Sequence, residues 1–284
     1  RCYPHPMFSE AFCGSYSVLE DRSEADGRKI DLNIMLVPSV RANSTLDPIF
    51  IFAGGPGQGA VEVAATVMPS LLKMNQQRTI VFLDQRGTGS SNPLKCEISD
   101  SDSSDVPAEE LKSCLASLSA DTTMYHTEIL VQDTAEVQKA LGFEKINIYG
   151  VSYGTRLGLA YLRKYPDLVR SAVLDGVAPL DIPIGSDHGE GVRNAFTRML
   201  LDCVADQACQ EAFPNLKREF ENLEKRLVEP TPISYLNPKI ANVVEEVIEQ
   251  EDLWGVVQQM LYNPISSSML PFVIHEAHKD NWAP

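Results

Sequence analysis

The segment IYGVSYGTRLG, residues 148–158, places Ser152 between Gly150 and Gly154. The apolar run KINIYG leads into this serine, and the run that follows, YGTRLGLAYLRKYP, has the composition of a helix. A serine between a strand and a helix in this pattern sits on a sharp, strained turn with its hydroxyl exposed above the sheet. Flanking glycines let the neighbouring chain pass closely. We therefore predict that Ser152 is a nucleophile; the alternative is an ordinary strand-to-helix turn with a small residue.

Short apolar runs of the same kind recur through the first 180 or so residues. They are DPIFIFAGGPG (47–57), RTIVFLDQRG (78–87), KINIYG (145–150) and SAVLDGV (171–177). Runs this short and this apolar suit parallel strands buried on both faces. Helix-like segments such as VQDTAEVQKALG lie between them, and KIDLNIMLVP (29–38) alternates as a half-buried strand does. The fold class predicted is α/β, with a mostly parallel sheet and crossover helices.

The pattern changes after DGVAPLDIPIG, residues 175–185. Beyond it we find helical periodicity and almost no strand signal. The segments ANVVEEVIEQEDLWGVVQQML and SSSMLPFVIHEAHKDN are predicted helices, as is NLKREFENLEKRLVEP. In the last of these, apolar residues recur on one helix face at Leu216, Phe220, Leu223 and Leu227. We expect two regions, the N-terminal portion of an α/β core (1–182) and a helical cap (183–284).

A second motif, AGGPGQG at residues 53–59, follows a predicted strand. Acyl transfer needs backbone N–H donors aimed at the developing oxyanion, and a glycine-rich turn can supply them. The N–H of Tyr153, the residue after the serine, is the expected second donor. A phosphate loop is the competing interpretation, but the segment matches neither common phosphate-binding pattern, and Pro56 removes a donor.

The third motif is FLDQRGTGSSNP, residues 82–93, in which Asp84 and Arg86 follow a strand. These two side chains could pair with each other or brace the loops around the site. We expect a structural role for both.

The formal net charge of −15 over 284 residues argues against nucleic acid or an anionic membrane surface as a partner. No apolar run is long enough to span a membrane. The start, RCYPHPMF, lacks both an initiator Met and an apolar signal segment, so we expect a processed or trimmed start.

Six cysteines form three close pairs along the chain, Cys2 with Cys13, Cys96 with Cys114 and Cys203 with Cys209. Six cysteines allow 15 pairings, so pairing between neighbours is a preference, and six free thiols are the alternative. None has the C-x-x-C spacing of a zinc or redox site. The even count favours an oxidising compartment, and we expect a secreted or periplasmic protein.

Taken together, GGPG, DQRGTGSS and GVSYGT resemble the proline iminopeptidase and tripeptidyl aminopeptidase branch of the α/β-hydrolases. The resemblance continues through YLRKYPDLVRSAVLDGVAP (161–179) and covers roughly residues 45–180. It implies a serine peptidase that releases residues or short peptides from substrate N-termini, without a metal or cofactor. By position, Ser152 is the implied nucleophile, and the N–H groups of Gly55 and Tyr153 form the implied oxyanion hole.

The partners of this serine are harder to find. In this fold the order along the chain is Ser, then Asp or Glu, then His, and the resemblance implies that the acid and the His follow the cap. Neither is identified in this chain; Asp175, at a strand end, is a weak candidate for the acid. His275 and His278 share a helix face and could bind a metal, but a solvated surface pair is the expectation. We therefore expect that the C-terminal part of the core is missing from this chain and comes from a further segment or a second chain.

The leading hypothesis is a secreted serine exopeptidase acting on peptide N-termini. Glu190 and Asp187, near the start of the cap, are candidates to hold the substrate amino group. One alternative is an esterase that uses the same elbow. Another is a catalytically incomplete chain that acts as the binding or structural half of a split or degenerate hydrolase.

Overall fold

The structure is a computed structural model that describes residues 2, 10–96, 106–185, 188–237 and 239–283. The chain divides into two compact units, Arg1–Ile182 and Pro183–Pro284. None of the described helices is both long enough and apolar enough to cross a membrane.

The described part of the first unit contains a six-stranded sheet. Its strands are β1 (Phe12–Leu19), β2 (Lys29–Val37), β3 (Ile49–Phe52), β4 (Ile80–Leu83), β5 (Ile146–Val151) and β6 (Val169–Asp175). The order across the sheet is β1-β2-β4-β3-β5-β6. β1, β2 and β4 pair antiparallel, whereas β4, β3, β5 and β6 run parallel. The predicted α/β class with a mostly parallel sheet is confirmed.

The described helices of this unit are α1 (Ala64–Asn75), α2 (Ala108–Ser117), α3 (Thr127–Ala140) and α4 (Tyr153–Lys164), with short 3-10 helices at Thr122–Met124 and Pro166–Leu168. Three of them, α1, α3 and α4, contribute buried residues to the apolar clusters on the sheet, whereas α2 has no buried residue. All four residues of β3 are buried, because alternate side chains point into two different layers. Phe50 packs in the cluster that contains Leu157 of α4, whereas Ile51 packs in the cluster that contains Met68 of α1. This two-sided burial explains why the strand sequences are almost continuously apolar.

The six cysteines form three disulfides between sequence neighbours, Cys2–Cys13, Cys96–Cys114 and Cys203–Cys209. The preferred pairing is therefore the one present, and the alternative of six free thiols is wrong.

The second unit contains helices and a hairpin. In chain order its elements are α5 (His188–Ala205), α6 (Gln207–Ala212), α7 (Leu216–Arg226), β7 (Thr231–Asn237), β8 (Asn242–Ile248), α8 (Gln250–Leu261) and α9 (Pro264–His278). The apolar stripe predicted for α7 is buried as expected: Leu216, Phe220 and Leu223 lie in the unit's apolar cluster, and Leu227 just after the helix is fully buried.

The expectation of almost no strand in this region is wrong, because β7 and β8 form an antiparallel ribbon. The segment NVVEEVI was predicted to be helical, since its apolar residues come in adjacent pairs four residues apart, as on one helix face. In the structure Tyr235 lies opposite Val244, and Thr231 lies opposite Ile248. Such pairs of aromatic and β-branched residues across two strands favour the ribbon.

Candidate active site

Ser152 occupies the turn between β5 and α4, with φ 53° and ψ −118°. A non-glycine residue at positive φ is strained, and such strain persists only where the surroundings fix the conformation. The backbone therefore has the sharp strand-to-helix turn that the sequence predicts around this serine.

The glycines beside Ser152 are required by close backbone contacts. A Cβ added at Gly154 would lie 2.0 Å from the carbonyl oxygen of Phe52, and one at Gly150 would lie 2.7 Å from the carbonyl oxygen of Gly154. The first turn of α4 is thus pressed directly onto the end of β3. No side chain larger than hydrogen fits there without moving the backbone.

The glycine-rich loop after β3 lies beside the serine. A Cβ added at Gly54 would lie 3.3 Å from the Cβ of Ser152, and Gly55, the next residue, has φ 105°. The peptide bond from Gly55 to Pro56 is cis. Tyr153 is the first residue of α4, a position at which the backbone N–H has no acceptor within the helix. The fold therefore brings together the two segments predicted to supply the oxyanion donors.

Asp84, at the end of β4, holds this loop in place. Its carboxylate is buried and accepts hydrogen bonds from the N–H of Val61 at 2.8 Å, from Asn33 Nδ2 at 2.8 Å and from the N–H of Ser90 at 3.1 Å. A Cβ at Gly89 would lie 2.2 Å from Asp84 Oδ2, so the loop after β4 wraps tightly around the carboxylate. This geometry has the bracing role expected for Asp84.

Arg86 braces a different part of the unit. Its buried guanidinium donates to both carboxylate oxygens of Asp133 on α3, at 2.6 and 2.9 Å, and Arg22 pairs with the same carboxylate. The guanidinium of Arg86 also donates to the backbone carbonyls of Leu19 and Glu20. The sequence analysis did not identify Asp133, although an acidic residue on a mostly apolar helix face is a signal for a buried cation nearby.

Tyr125 extends this polar network towards the surface. Its hydroxyl donates to Glu20 Oε1 at 2.7 Å and accepts from Asn92 Nδ2 at the same distance. Burial, together with the carboxylate of Glu20, raises the pKa of Tyr125 to about 12. The phenol is therefore held in its protonated, donating form.

Asp175, the weak candidate for the acid, ends β6 beside the serine. Its backbone carbonyl accepts a hydrogen bond from the N–H of Ser152 at 2.8 Å. Its carboxylate is exposed and accepts a hydrogen bond from the hydroxyl of Tyr149 at 3.1 Å. Burial and this carboxylate raise the pKa of Tyr149. The partner of Asp175 is thus a tyrosine, where an orienting acid would hold a histidine.

The histidines take other places. His126 is the N-cap residue of α3, and His5 lies outside the described residues. In the second unit, the Nδ1 of His275 lies 2.8 Å from Glu219 Oε2, and its ring packs edge-on against Phe213. The expectation of a solvated surface pair is therefore wrong for His275, because the apolar cluster of this unit reaches its ring.

The residues expected to hold a substrate amino group lie at the start of the second unit. Glu190 is exposed in the first turn of α5, whereas Asp187 lies outside the described residues. Within the described ranges, no group of three or more His, Cys, Asp or Glu side chains is placed to hold a metal ion.

Residues 47–235 match the family model for the alpha/beta hydrolase fold. The chain belongs to that family. Among characterised proteins, it is 28% identical to the serine protease Hip1 of Mycobacterium tuberculosis over 257 residues, which cover 81% of this chain and 48% of that protein.

Two further relatives confirm the resemblance seen in the motifs. A tripeptidyl aminopeptidase of Streptomyces lividans is 29% identical over 187 residues, covering 58% of this chain and 35% of that protein. A proline iminopeptidase of Neisseria gonorrhoeae is 30% identical over 131 residues, covering 46% of this chain and 32% of that protein. The matched region thus spans between about a third and a half of each relative's length.

Proposed function

We propose that the complete protein is a serine peptidase that acts through Ser152. The observation that carries this proposal is the strained serine at the turn between β5 and α4, packed against the glycine-rich loop. The names of the relatives, a serine protease and two aminopeptidases, support a peptidase among the possible hydrolases.

In the proposed reaction, the hydroxyl oxygen of Ser152 attacks the scissile carbonyl carbon while a general base removes its proton. The carbonyl π electrons move to oxygen, and the N–H groups of Gly55 and Tyr153 donate hydrogen bonds to that oxyanion. Collapse of the intermediate expels the amine, which takes the proton from the base, and leaves an acyl-enzyme. Water, which gives up a proton to the base, then attacks the acyl-enzyme. The carboxylic acid product is released, and the oxygen of Ser152 takes the proton back from the base. This mechanism requires no metal and no cofactor.

The base and the acid are proposed to come from polypeptide beyond the described residues, either a further segment or a second chain. The free edge of β6 supports this, since β6 is the last strand in the order of the described sheet. Val173 on this strand is 56% exposed. An edge strand with exposed apolar side chains readily pairs with another strand. A segment that pairs there would complete the core next to Ser152.

We further propose an exopeptidase that recognises the free amino group of its substrate. Glu190 supports this role because its carboxylate is exposed at the start of α5. Asp187 remains a candidate to bind the amino group because of its position in the sequence alone. The second unit, on this proposal, is the cap, and it supplies the carboxylate that holds the free amino group.

Secretion, or export to a periplasm, is proposed from the three disulfides, because such bonds persist in oxidising compartments.

The test compares a tripeptide anilide that has a free amino terminus with its N-acetylated counterpart, using the complete protein. Acetylation removes the charge and should lower kcat/KM about tenfold to a hundredfold, because a hydrogen bond to a charged group contributes about 1.5–3 kcal/mol. Glu190→Gln should lower turnover of the free peptide alone. Faster turnover of the acetylated peptide would contradict exopeptidase action, and turnover of an aryl acetate without any anilide hydrolysis would indicate the esterase.

A further inference from the structure

We propose that Thr155 is a positioning residue that orients the oxyanion donor at Tyr153 through the peptide group between Ser152 and Tyr153. The proposal rests on the function proposed above for Ser152 and deepens it.

Thr155 lies in the first turn of α4, and its side chain is fully buried. Its hydroxyl donates a hydrogen bond to the carbonyl oxygen of Ser152 at 2.6 Å. The same hydroxyl accepts a hydrogen bond from the backbone N–H of Ala178 at 2.8 Å. One side chain therefore connects the turn at Ser152 to the segment that leaves β6.

The main chain connects the same two segments from the other side of the serine. The N–H of Ser152 donates to the carbonyl oxygen of Asp175 at 2.8 Å. Together with the bridge through Thr155, this bond closes a ring around Ser152, so both of its peptide groups are fixed. Two anchors of this kind can maintain the unusual backbone conformation at φ 53°.

The geometric consequence lies in the peptide group that follows Ser152. A peptide group is planar, and in its trans form the C=O and the N–H point in opposite directions. The bond from Thr155 to the Ser152 carbonyl therefore also sets the direction of the Tyr153 N–H. That N–H is the proposed donor to the oxyanion, so the hydroxyl of Thr155 acts on the transition state without touching the substrate.

Satisfying the carbonyl of Ser152 does not require this hydroxyl, because the backbone N–H of Thr155 already donates to it at 2.9 Å. What the hydroxyl adds is the link to Ala178. Thr134 offers a contrast within the same unit. It is also buried, but its hydroxyl donates to the carbonyl of Leu130 in its own helix, at 2.9 Å.

The experiment measures kcat and KM for Thr155→Val, Thr155→Ser and the matched control Thr134→Val in the complete protein. Thr155→Val should lower kcat about tenfold to a hundredfold, less than the loss of a whole oxyanion donor, with KM nearly unchanged. Thr155→Ser restores the hydroxyl and should recover most of kcat. Thr134→Val should leave kcat near the wild-type value.

Equal kcat values for Thr155→Val and Thr134→Val would overturn the proposal, as would a loss confined to KM. A wild-type protein that is inactive and unlabelled at Ser152 would instead contradict the proposed function itself. If Thr155→Val does not fold, hydrogen exchange in the wild type decides. The N–H of Ala178 should exchange slowly, and exchange at the rate of a free amide would overturn the bridge.

Discussion

Both units have apolar clusters, but they differ in the placement of their charged groups and in the closeness of their backbone contacts. In the first unit, charged and polar groups are buried, and glycines allow backbone segments to touch, as at Asp84, Arg86 and Gly154. In the second unit, aromatic and aliphatic side chains form one cluster, with Phe196, Phe220 and Trp254 in mutual ring contact.

The contrast extends to the ion pairs. Arg86 and Asp133 in the first unit are almost completely buried, whereas Arg198 and Asp202 in the second are mostly exposed. Burying a charge is expensive unless the charge is paired, so the Arg86–Asp133 pair imposes a constraint that the exposed Arg198–Asp202 pair does not. Asp84 is buried as well, and its carboxylate holds the end of the glycine-rich loop that lies beside Ser152, which is where precise placement would serve catalysis.

The largest expected effect separates these two ion pairs. Asp133→Asn leaves the buried guanidinium of Arg86 without its carboxylate, and should lower the free energy of unfolding by about 3–5 kcal/mol. The matched change in the second unit, Asp202→Asn, should lower it by at most about 0.5 kcal/mol, because that pair is exposed. Urea unfolding of both variants measures the difference. Similar losses of unfolding free energy in the two variants would contradict the contrast between the buried and the exposed ion pair.

A second pair of changes compares glycines. Gly154→Ala would place a methyl group 2.0 Å from a carbonyl oxygen of β3, so the backbone must shift. We expect the free energy of unfolding to fall by about 3 kcal/mol. A Cβ added at Gly255 of α8 would meet nothing within 4 Å beyond its own helix, so Gly255→Ala should stabilise by about 0.5–1 kcal/mol through helix propensity. Thermal unfolding measures the difference: the melting temperature should fall for Gly154→Ala and rise for Gly255→Ala. A tolerated Gly154→Ala would mean that α4 does not press on β3.

A smaller effect is expected at two tyrosines. Tyr125→Phe removes the hydrogen bond to the buried carboxylate of Glu20 and should destabilise by about 1.5 kcal/mol at pH 7. Tyr262, in the second unit, is 74% exposed, and Tyr262→Phe should change stability by less than about 0.5 kcal/mol. Urea unfolding of the two variants measures both values, and equal losses would contradict the contrast between the units.

The effect at Tyr125 should also depend on pH. Folding raises the pKa of this phenol from 10.0 to about 12, so the protonated form is favoured in the folded state. Its contribution is fully present below about pH 10 and is lost as the pH rises through about 12. The stability gap between wild type and Tyr125→Phe should therefore be constant up to about pH 10 and shrink above it. A gap that widens over that range would contradict the assigned hydrogen bond.

A feature could be predicted from the sequence where its requirements are local. The turn at Ser152 was predictable because its requirements are local: a strand, two glycines and a helix within one short segment. The stripe of α7 was predictable because its period is regular. The partner of Arg86 was not, since Asp133 lies 47 residues away and only the folded sheet brings the two together.

The second unit was predicted less well for a different reason. Val243 and Val247 have the spacing of a helix face, and pairing with β7 overrides that local pattern. The position of His275 likewise depends on Glu219 and Phe213, which come from earlier in the chain. Propensity and spacing carry no information about contacts over such separations.

The most direct test of Ser152 as the nucleophile is fluorophosphonate labelling of the complete protein, with the modified residue located by mass spectrometry and Ser152→Ala as the control. We predict one label, on Ser152, that disappears in Ser152→Ala while the far-ultraviolet circular dichroism stays the same. A folded wild-type protein that takes up no label, or takes it up on another residue, would contradict this assignment.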